Sequence, residues 1–196
     1  MDEKYLKEKK ARLGFPLKTI AASVLLRKLR WATLGLQFDW SKRNYDASLP
    51  HAKIPDALSR LAKELAMPAM ENAEFCAEAA IINYFASDDM LGGHLDDMEA
   101  DLSKPIVSIS LGSKAVFLLG GESRQDPPIA MFLRSGDAVL MTGPARKCFH
   151  GIPRIFTDLE NCDVPVFQSK FLDSHDASFV DYIKGSRINI NIRQVN

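Results

Sequence analysis

Two kinds of hydrophobic periodicity divide the chain near residue 76. Within residues 54 to 67, leucine and alanine recur three, four and seven positions apart, which predicts an amphipathic helix. Residues 1 to 13 are rich in good helix formers and carry charge on most sides, so we expect a helix at the surface there. The pattern indicates helices and loops over residues 1 to 75.

From residue 77 onwards, short apolar or alternating runs are separated by clusters of Gly, Pro, Asp and Ser, as is typical of β-strands joined by turns. The runs read AEAAIINYF, PIVSISLG, AVFLLGG, IAMFL, DAVLMT, CFHGIPRI and RININIR. Their close spacing favours an antiparallel sandwich or jelly roll. We therefore predict an α+β fold in which a jelly-roll core over residues 76–196 carries the N-terminal helices, with an irregular to weakly helical insertion at 156–185.

Composition is that of an ordinary globular domain. The 196 residues are 46% hydrophobic and 26% charged, which predicts a single domain, expected to be a monomer. The three cysteines form no CxxC motif, which favours a reducing intracellular compartment without choosing among nucleus, cytoplasm and mitochondrion. No apolar run reaches the length needed to span a bilayer, so we expect no membrane partner.

Charge is distributed unevenly although the net charge is zero. Residues 1–60 contain thirteen Lys or Arg against six Asp or Glu, and residues 61–196 contain twelve against nineteen. A basic section can attract phosphates, or it can dock as a charged helix on an acidic body. Both interpretations stay open at this point.

The run RININIR places its polar side chains on one face of an extended strand and its isoleucines on the other. One interpretation is a surface strand with a polar outside. The alternative is that the polar face points into a jelly-roll cavity, where an arginine fork suits a carboxylate.

Two histidines and one aspartate are candidate metal ligands. His94 and Asp96 flank one leucine in GGHLDD, which alone fits a polar turn equally well. With His150 from a distant strand they form the two-histidine, one-carboxylate triad that holds non-haem iron(II) and leaves positions open. Cys148, two residues before His150, is expected to be a small buried residue rather than a ligand.

The order HLD at 94–96, His150 and RININIR at 187–193 resembles the AlkB-type Fe(II)- and 2-oxoglutarate-dependent dioxygenases, whose signature is HxD, a distal His and RxNxxxR. INYF before the HxD, KPIVSISLGSKAVFLLGG after it and RSGDAVLMTGPARKCFHGIPRI around His150 match as well. The segment LRWATLGLQFDWSKRNY at 29–45 is similar to the nucleotide-recognition lid of the eukaryotic AlkB homologue one subgroup. The resemblance implies a double-stranded β-helix core.

The resemblance also implies roles for individual residues. The iron ligands would be His94, Asp96 and His150. The residues at the 2-oxoglutarate site would be Asn83, Arg187, Asn189 and Arg193, with Arg187 pairing the far carboxylate. Phe85 stands where the family usually has a tyrosine, and Tyr84 points to the opposite face of the strand. One hydroxyl contact is therefore missing, and we predict tighter co-substrate binding by a Phe85→Tyr variant.

The implied activity is oxidative demethylation of N-methylated nucleobases with Fe(2+), 2-oxoglutarate and O2, releasing formaldehyde, succinate and CO2. The expected partner is DNA or tRNA presenting an unpaired or flipped base: N6-methyladenine, N1-methyladenine or modified cytosine. Candidate substrate-binding residues are Trp31, Phe38, Trp40, Lys42, Arg43 and Met98.

Alternatives remain at this point. Trp31 and Phe38 could equally anchor the core, and Met98 cannot replace the acidic residue with which bacterial members read the base. A histone demethylase or protein hydroxylase would use the same mechanism. A non-catalytic jelly roll that binds nucleic acid or metal is the candidate from another class.

Overall fold

Two antiparallel sheets packed face to face form the core of the protein. The structure, a computed structural model, describes residues 22–26, 28–39, 41–70, 73–157 and 177–196. Its helices are α1 (Ala22–Leu26), α2 (Asp56–Ala66) and α3 (Ala177–Lys184), with 3-10 turns at Met67–Ala69 and Gly143–Lys147. Its strands are β1 (Trp31–Gly35), β2 (Gln37–Asp39), β3 (Asn44–Asp46), β4 (Ala79–Phe85), β5 (Leu91–His94), β6 (Ile106–Gly112), β7 (Lys114–Leu119), β8 (Ile129–Leu133), β9 (Ala138–Met141), β10 (His150–Phe156) and β11 (Arg187–Arg193).

The strand order confirms the predicted double-stranded β-helix. The larger sheet runs β1-β4-β11-β6-β9 and the smaller one β5-β10-β7-β8, while β2 and β3 form a separate hairpin. β11 lies between β4 and β6, and its Arg187 is in register with Phe85 on one side and Gly112 on the other. The strands predicted after residue 77 are all present.

Alternation along the strands of the larger sheet separates two hydrophobic clusters. On the outer face, Val107, Ile109 and Ile192 pack against α2, whose Ala62 and Ala66 are fully buried. Such small residues let a helix approach a sheet closely. Between the sheets lies a second cluster, made of Phe85, Ile106, Ala115, Phe117, Leu133, Met141, Ile152 and Ile155. The polar face of β11 therefore points between the sheets, as the cavity interpretation predicted.

The N-terminal region differs from the prediction of helices and loops. α2 is where the periodicity placed it, but β1 adds an edge strand next to β4, and β2 and β3 form a hairpin. Gly35 ends β1 with a φ of 67°, and a Cβ there would collide with the carbonyl of Glu78. These strands were missed because WATLG and QFD are short and do not alternate clearly.

Parts of the sequence predictions fall on residues that the structure does not describe. These are the N-terminal surface helix, Trp40 and residues 158–176 of the predicted insertion. Of the predicted insertion, the structure describes residues 156–157, where β10 ends, and residues 177–185, which include the helix α3. No helix in the described ranges has the length and apolarity that crossing a bilayer requires.

Candidate metal centre and adjoining cavities

Pairing of β5 with β10 brings the two predicted histidine ligands side by side. His94 and His150 are register partners, and their ring centroids lie 4.4 Å apart. Asp96 follows β5 by two residues, and one ligand atom from each of the three side chains lies within 4.8 Å of the others. The structure therefore gathers the three predicted ligands into one group. Cys148, expected to be a small buried residue, is only half-buried. Its thiol donates to the carbonyl oxygen of Pro144 at 3.4 Å and is not part of the ligand group.

The backbone orients both imidazole rings for metal binding. Nδ1 of His94 lies 3.0 Å from the carbonyl oxygen of Gly92, and Nδ1 of His150 lies 3.2 Å from that of Cys148. Because a carbonyl only accepts, each Nδ1 is assigned the proton, which leaves the lone pair on Nε2. The Nε2 atoms of His94 and His150 lie 3.9 and 3.6 Å from the carboxylate oxygens of Asp96. This is how metal-binding histidines are usually fixed.

The ionisation states of Asp96 and His94 suit a divalent cation. Burial raises the pKa of Asp96, but the contact with His150 and the charge of Arg193 outweigh burial and hold that pKa well below its usual range. Burial and the neighbouring His150 lower the pKa of His94. A neutral imidazole and an ionised carboxylate are the forms that ligate metals, so His94 and Asp96 need to release little proton when a metal binds at neutral pH.

A buried network of charges, which the sequence did not reveal, supports Asp96. Arg193 donates through Nη2 to Asp96 Oδ2 and through Nη1 to Glu99 Oε1, both at 2.8 Å. Arg146 donates to Glu99 Oε2 at 2.9 Å, and the side chains of this pair are each 1% exposed. Arg146 also donates to the backbone oxygen of Asp96 at 2.7 Å, and Tyr45 donates its hydroxyl proton to Glu99 at 3.2 Å. Asp96 is thus held by both its carboxylate and its backbone.

Arg187 lies in the same interior space and has unused hydrogen-bond donors. It is fully buried, and its Nη2 donates to Ser110 Oγ at 2.9 Å, while Nε and Nη1 have no hydrogen-bond partner among the described residues. Burial lowers the pKa of Arg187 to about 10 against the opposing charge of Asp137, so the guanidinium stays protonated at neutral pH. A cavity between the sheets is lined by Arg187, Asn189 and the triad. A buried arginine with free donors near a metal triad fits a carboxylate of a bound dicarboxylate.

Of the other predicted co-substrate residues, only Asn189 is among the described residues that line this cavity with Arg187. Arg193, predicted at the co-substrate, instead contacts Asp96 and Glu99 and lines the neighbouring cavity, because it lies six residues further along β11. Asn189 donates to Ser108 Oγ at 2.9 Å and is the register partner of Asn83. Phe85 is the register partner of Arg187 and is buried between the sheets. The phenyl ring packs in the hydrophobic cluster between the sheets, is not among the described residues that line this cavity, and offers no hydroxyl to a ligand.

A larger cavity of about 590 Å³ opens next to the triad. Three of the predicted substrate-binding residues line it, namely Phe38, Arg43 and Met98, and Arg43 Nη2 lies 3.6 Å from the sulfur of Met98. Sequence reasoning missed Tyr45, Arg124 and Phe149, which also line it. The edge of Phe38 packs on Tyr45 with 5.2 Å between ring centroids, so the β2–β3 hairpin forms one wall.

Two of the predicted substrate-binding residues are not among the described residues that line this cavity. Trp31 begins the edge strand β1 and is 53% exposed, which excludes a role as a core anchor. Lys42 forms ion pairs with Asp39 at 3.4 Å and with Asp46 at 3.5 Å on the outside of the hairpin. Lys42 therefore pairs within the hairpin and does not line the cavity.

Comparison with known proteins supports the same family. A sequence profile of the 2OG-Fe(II) oxygenase superfamily matches residues 6–193. A protein of Arabidopsis thaliana named DNA N(6)-methyladenine demethylase ALKBH1A is 68% identical over 179 residues, which are 91% of this chain and 52% of that protein. The tRNA demethylase abh1 of Schizosaccharomyces pombe is 36% identical over 169 residues, 86% of this chain and 53% of that protein. The chain thus spans about half the length of these two relatives.

A relative closer in length to this chain supports the same family, and a solved structure supports the same fold. The N6-methyladenosine RNA demethylase ALKBH of Cryphonectria parasitica is 33% identical over 184 residues, 88% of this chain and 78% of that protein. The structure of OsALKBH1 superposes with a TM-score of 0.66 at 24% identity, covering 84% of this chain and 77% of that one, which shows the same fold. This chain therefore belongs to the 2OG-Fe(II) oxygenase superfamily, among its AlkB-type, ALKBH1-like members.

Proposed function

We propose that the protein is an Fe(II)- and 2-oxoglutarate-dependent demethylase of N-methylated nucleobases. The observation that carries the proposal is the triad of His94, Asp96 and His150 at the wall of a cavity of about 590 Å³ large enough for a base. These three residues would hold the iron. Iron(II), 2-oxoglutarate and O2 together supply the oxidation, in which one oxygen atom enters an N-methyl C–H bond and the other enters succinate as CO2 leaves.

The chain's own residues prepare this chemistry in three ways. The two Nδ1 hydrogen bonds fix the imidazole rings. Arg193 keeps Asp96 ionised and holds its carboxylate in one orientation beside the two histidines. The spare donors of Arg187 would bind the far carboxylate of 2-oxoglutarate and set its orientation. The hydroxylated methyl group then leaves as formaldehyde and restores the base.

Nucleic acid is the proposed substrate class because of the walls of the large cavity. Phe38 supplies an aromatic surface for a base, and Arg43 supplies a cation for a phosphate. Met98 has no oxygen with which to accept a hydrogen bond from an exocyclic amine, so recognition of the amino edge would need another lining residue such as Asp97. The names of the relatives refer to methylated adenine in DNA or RNA and to tRNA. We favour an unpaired or flipped N-methyladenine.

The test is anaerobic binding of iron(II) and 2-oxoglutarate, followed by addition of oxygen and a panel of oligonucleotides. The panel carries N6-methyladenine or N1-methyladenine in single-stranded, bulged and duplex form. We expect succinate and demethylated base in equal amounts, with the highest yield on unpaired substrates. Succinate without any demethylated product would support the assignment of the iron site and refute the assignment of a nucleic-acid substrate. A methylated protein would then be the next class of substrate to assay.

The control variant is His94→Ala, which removes one ligand. It should lose metal binding as well as turnover, because two remaining ligands hold a divalent cation weakly. Undiminished turnover by His94→Ala would refute the whole assignment.

A further inference from the structure

Besides the cavity between the sheets and the large cavity, a further cavity of about 240 Å³, named the second cavity, lies on the outer face of the smaller sheet. Phe117 of β7 points between the sheets, so Leu118 points outwards, and Leu118 lines this cavity. Met90, Pro128 and Pro153 complete an apolar lining, and Met90 is 65% exposed. A rim of exposed apolar side chains around a cavity marks a binding surface.

The second cavity and the large cavity beside the triad share one wall. Arg124 and Phe149 line both of them. The guanidinium of Arg124 lies over the ring of Phe149 at 4.6 Å from its centroid. The two cavities are therefore separated by the thickness of one stacked pair of side chains.

From this shared wall we infer that the second cavity binds the nucleobase directly next to the target nucleotide in the same strand. The inference rests on the proposed function, because it assumes that the target base enters the large cavity. In an unpaired strand one phosphate joins the sugars of two neighbouring nucleotides. Arg124 lies between the two cavities, where the phosphate between the two bound nucleotides would lie.

The chemistry of the second cavity suits a base. Its Leu118, Pro128 and Phe149 offer apolar and aromatic surface to the flat face of any base, which makes binding tolerant of sequence. The acidic residue at this rim is Asp126, and its carboxylate accepts the backbone N–H of Ser123 at 2.9 Å. Further along the same face, Arg154 lies over Phe156 at 4.8 Å from the ring centroid and adds positive charge. This combination of cations and rings favours an unpaired polyanion over an acidic or uncharged peptide.

The experiment measures binding without turnover, using the full chain with Mn(II) and 2-oxoglutarate in the absence of oxygen. The probes are N6-methyl-deoxyadenosine monophosphate, a trinucleotide with central N6-methyladenine between two thymidines, and two versions of it with an abasic residue on one side or the other. We expect the trinucleotide to bind roughly tenfold more tightly than one of the abasic versions, as expected for stacking one base, and within threefold of the other.

Two variants make the test specific. Leu118→Trp fills the second cavity and should bind the trinucleotide only as well as the weaker abasic version, with no further loss on that version. Val116→Trp is the matched control, because residue 116 lies on the same face of β7 but does not line the cavity, and it should bind like the parent. Both should bind Mn(II) as the parent does, measured by electron paramagnetic resonance.

The outcomes separate the two proposals. If the methylated mononucleotide binds but neither abasic residue weakens the trinucleotide, the second cavity has another occupant and the inference is wrong, while the proposed function stands. Equal losses by Leu118→Trp on every probe would overturn the inference too. If Leu118→Trp does not fold, the smaller change Leu118→Phe takes its place with the same expected order of affinities, and the inference is still wrong if neither abasic residue weakens binding to the parent protein. Failure of all methylated probes to bind refutes both proposals.

Discussion

Replacement of Arg187 by methionine should stabilise the ligand-free protein while removing its response to 2-oxoglutarate. Arg187 is fully buried, its Nε and Nη1 have no hydrogen-bond partner among the described residues, and its charge is desolvated. A buried charged group with unsatisfied donors lowers the free energy of unfolding of the ligand-free protein, and a bound ligand that accepts its hydrogen bonds removes this cost. Methionine has a similar length and brings no charge.

The magnitude follows from the contacts of the side chain. Each buried, unsatisfied donor costs about 1–3 kcal/mol, and the variant removes two of them. Against this gain, the variant loses the bond to Ser110 Oγ, worth about 1 kcal/mol, and the attraction to Asp137. We expect a net increase of about 1–2 kcal/mol in the free energy of unfolding. For a protein of this size the melting temperature should rise by about 2–8 °C.

The assay is scanning calorimetry of parent and variant, each with Mn(II), with and without 2-oxoglutarate. At a hundred times its dissociation constant, the ligand should stabilise the parent by about 2.7 kcal/mol and the variant by much less. The control is Arg60→Met on the exposed surface of α2, expected to change stability by less than about 0.5 kcal/mol and to keep the full ligand response. A destabilised Arg187→Met, or one that 2-oxoglutarate still protects fully, would show that this arginine is a structural residue.

Three further predictions concern the co-substrate, the substrate and the buried network. Phe85→Tyr should bind 2-oxoglutarate about fivefold more tightly in a calorimetric titration, as one added hydrogen bond allows, and equal or weaker binding would contradict it. Arg43→Ala should weaken oligonucleotide binding and lower its salt slope by about one, measured by anisotropy at several salt concentrations. Lys42→Ala should change little because Lys42 is paired within the hairpin, and equal losses from both would refute this distinction. Glu99→Gln leaves two buried arginines without their shared carboxylate and should cost about 3–5 kcal/mol in urea unfolding, whereas a loss under 1 kcal/mol would show that the network contributes little to stability.

All the strands after residue 77 except β5 were predictable, because turn residues separate them and most of their side chains alternate. β5 escaped prediction, since LGGH has two residues without side chains and therefore carries no alternation. β1, β2 and β3 escaped as well, because three to five residues are too few to show a period. Their placement depends on pairing with β4 and on the hairpin, which are tertiary contacts.

The triad and Arg187 could be found from the HxD spacing, the alternation of the last strand and the resemblance to a known family, whereas the residues that support them could not. Glu99 sits in the acidic run DDMEAD and reads as a solvated residue, and Arg146 reads as an ordinary loop cation. Their ion pair joins residues that are 47 positions apart in the chain. No local pattern distinguishes a buried charge from an exposed one when its partner is so distant.

The central position of β11 has a consequence for how the protein folds. Asn189 on this strand bonds Ser108 across 81 positions, and Arg193 reaches Asp96 across 97. Closing loops of this length is slow, so β11 should join the sheet late. Until it does, the edges of β4 and β6 that pair with β11 are exposed and prone to aggregation. The arginines needed by the co-substrate and by Asp96 arrive with that strand, so a half-folded chain should not capture redox-active iron in a competent site.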